Sequence, residues 1–313
     1  METRRLGSFM AFVILAVAPI ATAAEEPLKV FILAGQSNME GAGAIHADPA
    51  RHEGKGSLEH LVEDPATAER FAHLVEDDGA WVIRDDVWIS YFDREGGLSV
   101  GYGAREDRIG PELEFGHVVG ERFDEPVLLI KVAWGGKSLA VDFRPPSAGG
   151  DVGPYYTALL ARVRDVLGDL ETHYPAYDGR GYELVGLGWH QGWNDRVNQA
   201  HNDAYEENLV HFIRDVRKAL KVEGLPFVIA ETGMSGNDEK HPRALSLMKA
   251  QAAVAERKEF KGNVAFVGTK DFYRPPEESP SRQGYHWNSN AETYLLIGGA
   301  MGDAMVELIE NGG

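Results

Sequence analysis

Five short, nearly unbroken apolar runs punctuate the chain. They are LKVFILA (28–34), EPVLLIKVAW (125–134), YELVGLGWH (182–190), LPFVIAE (225–231) and NVAFVGT (263–269). Runs of this length, rich in Val, Ile and Phe, suit strands buried on both faces of a parallel sheet. Between them the period changes. Tyr205, Leu209, Phe212, Val216 and Leu220 step by four, three, four and four, which puts them on one helix face. Residues 155–170, 243–259 and 290–310 read likewise. Strands alternating with helices predict an α/β domain with a parallel sheet and right-handed crossovers.

Residues 43–110 break that alternation. They are rich in charge, Gly and His, and contain HLVED twice, at 60–64 and 73–77. Two five-residue copies fall short of a solenoid, which needs about three full repeats. The segment reads as an insertion lying over one end of the sheet, with a short helix near 66–77 and a strand near VWISYF (87–92). No linker is long enough to set off a second domain.

The first residues form a different pattern. Arg4 and Arg5 precede the apolar stretch FMAFVILAVAPI, and Ala21-Thr22-Ala23 supplies a small-x-small sequence. This is the pattern of a secretory signal peptide cut after Ala23, leaving 24–313 as one exported domain, secreted or periplasmic. The apolar stretch is shorter than the ~20 residues a spanning helix needs, and nothing later approaches that length. Of the 313 residues 43% are hydrophobic and 10% aromatic, enough for a packed core. There is no cysteine, which excludes disulfides and thiolate chemistry. The net charge is −18; Glu2, Arg4 and Arg5 together carry +1, so the chain beyond Ala23 stands near −19. That charge argues against a nucleic-acid or anionic-membrane partner.

Ligands of parallel α/β sheets bind at the carboxyl ends of the strands. Here those ends are chemically unusual. The first run stops in Gly35-Gln36-Ser37-Asn38, the second in Trp134-Gly135-Gly136-Lys137-Ser138, and the third in His190-Gln191-Gly192-Trp193-Asn194-Asp195. GYHWNSNAETY places His286 just before the last helical pattern. Taken alone, Ser37 is either a helix cap or a nucleophile, and the glycine pair is either a turn or an oxyanion-binding loop. A serine, a glycine pair, an amide cluster and a histidine are together the parts of acyl transfer.

These blocks resemble those of the SGNH-type hydrolases, and among them the carbohydrate esterases related to sialate O-acetylesterase and acetylxylan esterase. GQSNM resembles the family's nucleophile block, KVAWGGKSL its glycine block, WHQGWND its His-Gln-Gly block and YHWN its histidine block, in order over residues 28–310. The resemblance implies a three-layer α/β/α sandwich with a five-stranded parallel sheet, flavodoxin-like and needing no metal or cofactor. It implies a serine esterase that removes O-acetyl groups from a polysaccharide or a sialic-acid-type sugar. Ser37 would be the nucleophile and His286 the base. The oxyanion hole would be the Ser37 N–H, a backbone N–H of Gly135 or Gly136, and the Gln191 amide, with Asn194 a second candidate donor. Trp134, Lys137, Arg144 and Trp193 are candidate substrate contacts.

Two departures from the family pattern stand out. Trp193 occupies the position where the family often has Glu. Gln283 occupies the place of the Asp three residues before the histidine; an amide can hold an imidazole but cannot stabilise imidazolium by charge. Either Ser37 and His286 work as a dyad, or Asp195, Asp271, Glu277 or Glu278 reaches in. The missing acid also leaves open a non-catalytic carbohydrate-binding protein on an esterase fold.

Overall fold

The structure, a computed structural model, describes residues 26–312; the leader read at 1–23 lies outside the described residues. All five apolar runs form strands of one sheet: β1 (Leu28–Gly35), β4 (Val127–Ala133), β5 (Tyr182–His190), β6 (Phe227–Ala230) and β7 (Val264–Val267). The sheet has seven strands where five were expected. The two extra come from the insertion: β2 (Val87–Tyr91), and β3 (Arg94–Gly97), which pairs with it antiparallel. The order is β3-β2-β4-β1-β5-β6-β7, parallel except at that edge. The insertion therefore extends the sheet sideways as well as covering part of it.

Alternation along β1 feeds two cores. Val30, Ile32 and Ala34 face α3 (Pro154–Gly168), α4 (Tyr205–Leu220) and α5 (Pro242–Ala255). Phe31 and Leu33 face α2 (Glu112–Arg122) and α6 (Ala291–Gly312). Each fully buried aliphatic or Phe side chain contributes about 1.5–3 kcal/mol of transfer free energy. The three layers are thus set by a period of two in the strands and a period near 3.6 in the helices.

α2 was not anticipated from the sequence. Its glycines explain why. A Cβ on Gly116 would stand 2.2 Å from Leu98, and one on Gly120 2.5 Å from Val87. Glycine is required for close packing, and it erases the apolar period that would have announced the helix.

Candidate active site

The register of the sheet brings the strand ends together. Gly35 pairs with Ala133 on one side and His190 on the other. A Cβ on Gly35 would stand 2.2 Å from the His190 carbonyl oxygen, so only glycine lets the chain turn here into α1 (Ser37–Glu40). Gln36 and Asn38, on either side of Ser37, are buried; Ser37 itself is half-buried. The Gln36 side chain accepts from the Gly192 N–H at 3.0 Å, tying the serine turn to the third strand end. Asn38 donates to the Tyr285 carbonyl at 3.0 Å and accepts from the Tyr294 hydroxyl at 2.8 Å. Blocks 247 residues apart are thereby joined, with Ser37 next to Asn38 and His286 next to Tyr285.

His286 sits in an unusual loop. Trp287, Asn288 and Ser289 follow it with φ of 50°, 55° and 58°, three successive left-handed residues. That conformation is costly for residues with a Cβ. Burial of Trp287, with Asn288 donating to the Arg274 carbonyl at 3.0 Å, holds it. Burial pushes the His286 pKa below its ordinary value, and among the described residues no carboxylate opposes that shift. The four acids considered from the sequence are engaged or placed elsewhere. Asp195 is fully buried and accepts from the Leu139 and Ala140 N–H groups at 2.7 and 2.8 Å. Asp271 accepts from Asn237. Among the described residues neither Glu277 nor Glu278 pairs with the ring, and Gln283 is exposed. His190, the other histidine at a strand end, is fully buried, and desolvation pushes its pKa down to about 4.

The amides divide their roles. Gln191 is fully buried; its Nε2 donates to the Lys137 carbonyl at 3.0 Å and to Asp195 at 2.6 Å. The Tyr205 hydroxyl lies 3.1 Å from its Oε1. Both amide hydrogens are spent, so Gln191 braces the glycine loop and has no donor left for an oxyanion. Asn194 is only half-buried and donates to the Gly136 carbonyl, which leaves its second amide hydrogen uncommitted. Ser37 N–H and Gly136 N–H make no bond to a protein acceptor among the described residues.

The expected substrate contacts also separate. Half-buried Trp134 packs between Phe92 and Tyr155, with ring centroids at 5.3 and 5.0 Å, and forms a wall. Trp193 lies 5.8 Å from Tyr285 and under the Arg196 guanidinium, joining the third strand end to the histidine loop. Lys137 stands over Tyr155 and 3.8 Å from Asp142. Arg144 is spent on the carbonyls of Ala140, Ala148 and Gly149, so it clamps its own loop instead of meeting a ligand.

A feature the sequence did not announce lies beside His286. A cavity of about 350 Å³ is lined by Arg51, Arg105, Arg108, Ser281, Gln283 and His286, among others. Asp107 pairs with both Arg105 and Arg108, at 2.9 and 3.3 Å. Arg51 donates to the Pro280 carbonyl and forms no ion pair among the described residues. Two of these guanidiniums therefore share one carboxylate, and the third binds only a backbone carbonyl.

Residues 27–307 match the family of carbohydrate esterases described as sialic acid-specific acetylesterase. The chain belongs to this family. It is accordingly a carboxylic ester hydrolase, and the binding-protein alternative gives way. Solved structures agree on the fold. A protein from Arabidopsis thaliana is 17% identical with a TM-score of 0.57, over 89% of this chain and 98% of that one. NanS is 16% identical with a TM-score of 0.52, over 92% of this chain and 98% of its own. A carbohydrate acetylesterase from Xanthomonas citri is 12% identical with a TM-score of 0.50, over 84% of this chain and 55% of that one. No curated protein matches the chain in sequence. Among the described residues no helix is long and apolar enough to cross a membrane.

Proposed function

We propose that this chain is an exported serine esterase that removes O-acetyl groups from a sugar through an acetyl-enzyme. The observation that carries the reading is the Asn38–Tyr285 bond, which sets the Ser37 turn against the His286 loop. Ser37 Oγ attacks the acetyl carbonyl carbon as His286 takes its proton. The negative charge forming on the carbonyl oxygen is met by the Ser37 and Gly136 N–H groups and by Asn194. Collapse breaks the bond to the sugar oxygen, which recovers the proton from His286. Water, deprotonated in turn by His286, releases acetate and restores Ser37. With no carboxylate paired to the ring among the described residues, the two residues act as a dyad. The leader pattern at 1–23 supports export to the periplasm or the medium.

The Arg-lined cavity beside His286 favours a carboxylate-bearing sugar, such as a sialic-acid type, over a neutral one. Activity of the chain from Ala24 on p-nitrophenyl acetate, an acetylated sialic acid and acetylated xylan tests both levels. Ser37→Ala should lower hydrolysis of all three by roughly 10³-fold or more while the unfolding midpoint stays put. An alanine variant that keeps most of its activity would remove Ser37 from the mechanism.

A further inference from the structure

Tyr285 is fixed by its backbone, while its side chain is left open. Its carbonyl accepts from Asn38 at 3.0 Å, and the N–H groups of His286 and Asn288, just after it, bond to the Gln283 carbonyl at 2.8 and 3.1 Å. The Tyr285 side chain is 43% exposed, and its hydroxyl makes no hydrogen bond among the described residues. Anchoring of this loop falls to Trp287, which is fully buried. A single exposed aromatic ring is ordinary. Place sets this one apart. The other exposed tyrosine, Tyr182, stands at the start of β5, away from the strand ends that carry the site. The Tyr285 ring lies against the base, its centroid 4.5 Å from that of His286 with the planes 61° apart. It also lies 5.8 Å from Trp193, the residue before Asn194, whose own ring has the Arg196 guanidinium 4.2 Å over it. An open ring therefore stands on the rim between the base and the segment that carries the oxyanion amide.

We propose that Tyr285 is a specificity-determining residue: its exposed ring is the platform on which the sugar carrying the acetyl group lies, with Trp193 bracing that ring from the third strand end. This rests on Ser37 and His286 being the esterase pair. The chemistry fixes where the sugar must be. The sugar oxygen that leaves the acetyl carbon takes its proton from His286, so it lies ~2.6–3.2 Å from the imidazole nitrogen. The sugar carbon bearing that oxygen is one bond further, which brings the sugar within about 4–5 Å of the imidazole. The Tyr285 ring stands at that distance. A pyranose presents C–H groups on the face of its ring, and the negative face of an aromatic ring complements them. The open hydroxyl can exchange hydrogen bonds with a sugar hydroxyl. Tyr285 does not line the cavity of Arg51, Arg105 and Arg108. The platform therefore responds to the sugar ring and not to its charge, and serves a neutral and an acidic sugar alike.

A platform and a prop for the histidine affect different substrates. A ring that only props His286 acts on every ester, because every acetyl transfer uses the same base. A ring that carries the sugar acts only where the leaving group is broad enough to cover it. Ethyl acetate has the same acetyl group on a leaving group too small to cover a ring, so it reports the first role and not the second. p-Nitrophenyl acetate does not separate them, because its flat leaving group can stack on the same ring.

The test uses the full chain with Tyr285→Ala, Tyr285→Leu and Tyr285→Phe, and kcat, KM and the unfolding midpoint measured with acetylated xylan, an acetylated sialic acid and ethyl acetate. For whichever sugar the wild type cleaves, Tyr285→Ala should lower the ratio of its kcat/KM to that of ethyl acetate by roughly tenfold, mostly through KM, as one ring face of apolar contact is lost. Tyr285→Phe keeps the ring and should keep most of the ratio. If Tyr285→Ala does not fold, Tyr285→Leu, which has apolar bulk but no flat face, decides by the same ratio. Equal losses on sugar and ethyl acetate, or an unchanged ratio in a folded variant, overturn the inference. A Phe variant as impaired as the Ala variant assigns the effect to the hydroxyl and overturns the platform. Ser37→Ala run alongside separates the two levels. If that variant stays active, the nucleophile reading fails first; if it is dead while the ratio holds in the Tyr285 variants, only Tyr285 is misassigned. A wild type that cleaves ethyl acetate and neither sugar overturns the sugar reading, and this inference with it.

Discussion

Gln191 and Asn194 are both carboxamides, three residues apart on one strand end, yet their surroundings give them different work. Gln191 has both amide hydrogens bound inside the protein, to Lys137 and Asp195. Asn194 keeps one for a ligand. Asn194→Ala should therefore cost ~10²–10³ in kcat, the usual effect of one lost oxyanion donor, with little change in stability. Gln191→Ala strands the Lys137 carbonyl and removes one of three donors to the buried Asp195 carboxylate, and should cost about 1–3 kcal/mol of stability. Paired kcat and urea-midpoint measurements check this, and a Gln191 variant that is slow yet fully stable would reverse the assignment. Ser37, Gly135, Gly136 and His286 could be singled out as candidates from the sequence because each sits in a short local block at a strand or loop end. The division between the two amides was not. It depends on Tyr205, a residue of α4 whose hydroxyl reaches Gln191, and on an Asp195 carboxylate turned inward to bind the N–H groups of Leu139 and Ala140.

Elements show the same contrast. The five central strands were readable because burial on both faces forces unbroken apolar runs. β3 (Arg-Glu-Gly-Gly) was not, because an edge strand paired on one side needs no apolar run. α2 hides behind Gly116 and Gly120 for the packing reason given above. α6 meets it with glycines of its own: a Cβ on Gly298 would stand 2.2 Å from the Pro111 carbonyl oxygen, and one on Gly302 2.7 Å from Val118. The histidine loop is the element under most strain, with its left-handed run of three. Its anchor is Trp287, fully buried beneath the site. Trp287→Ala should cost about 3–5 kcal/mol, the range for deleting a buried aromatic. It should also cut kcat in the surviving folded fraction, since His286 would lose its fixed place. A variant that loses stability but keeps kcat per folded molecule would show that the backbone bonds of Asn288 with Ser281 and Gln283 suffice to hold the histidine.

At the scale of the molecule, charge decides how a substrate arrives. A chain of net −18 repels anions at long range, and the Arg51, Arg105 and Arg108 cavity beside His286 runs against that field. Burial lowers the Arg108 pKa, and the Asp107 carboxylate opposes that shift more strongly than Arg105 adds to it. Such a cavity is suited to take a carboxylate once the substrate is within a few ångströms. Long-range repulsion and short-range attraction respond differently to salt, because the screening length falls from ~10 Å at 0.1 M to ~3 Å at 1 M. For an acetylated sugar bearing a carboxylate, added salt should first raise kcat/KM by screening the net charge, and then leave the contact with Arg108 largely intact. Arg108→Ala should lower kcat/KM for that sugar by roughly 10–10²-fold, the worth of one charge-assisted hydrogen bond, and leave acetylated xylan and p-nitrophenyl acetate nearly unchanged. Equal losses on all three substrates would mean that Arg108 supports the histidine loop instead of the sugar. No loss on any would return the cavity to a solvated surface and make the neutral sugar the better candidate.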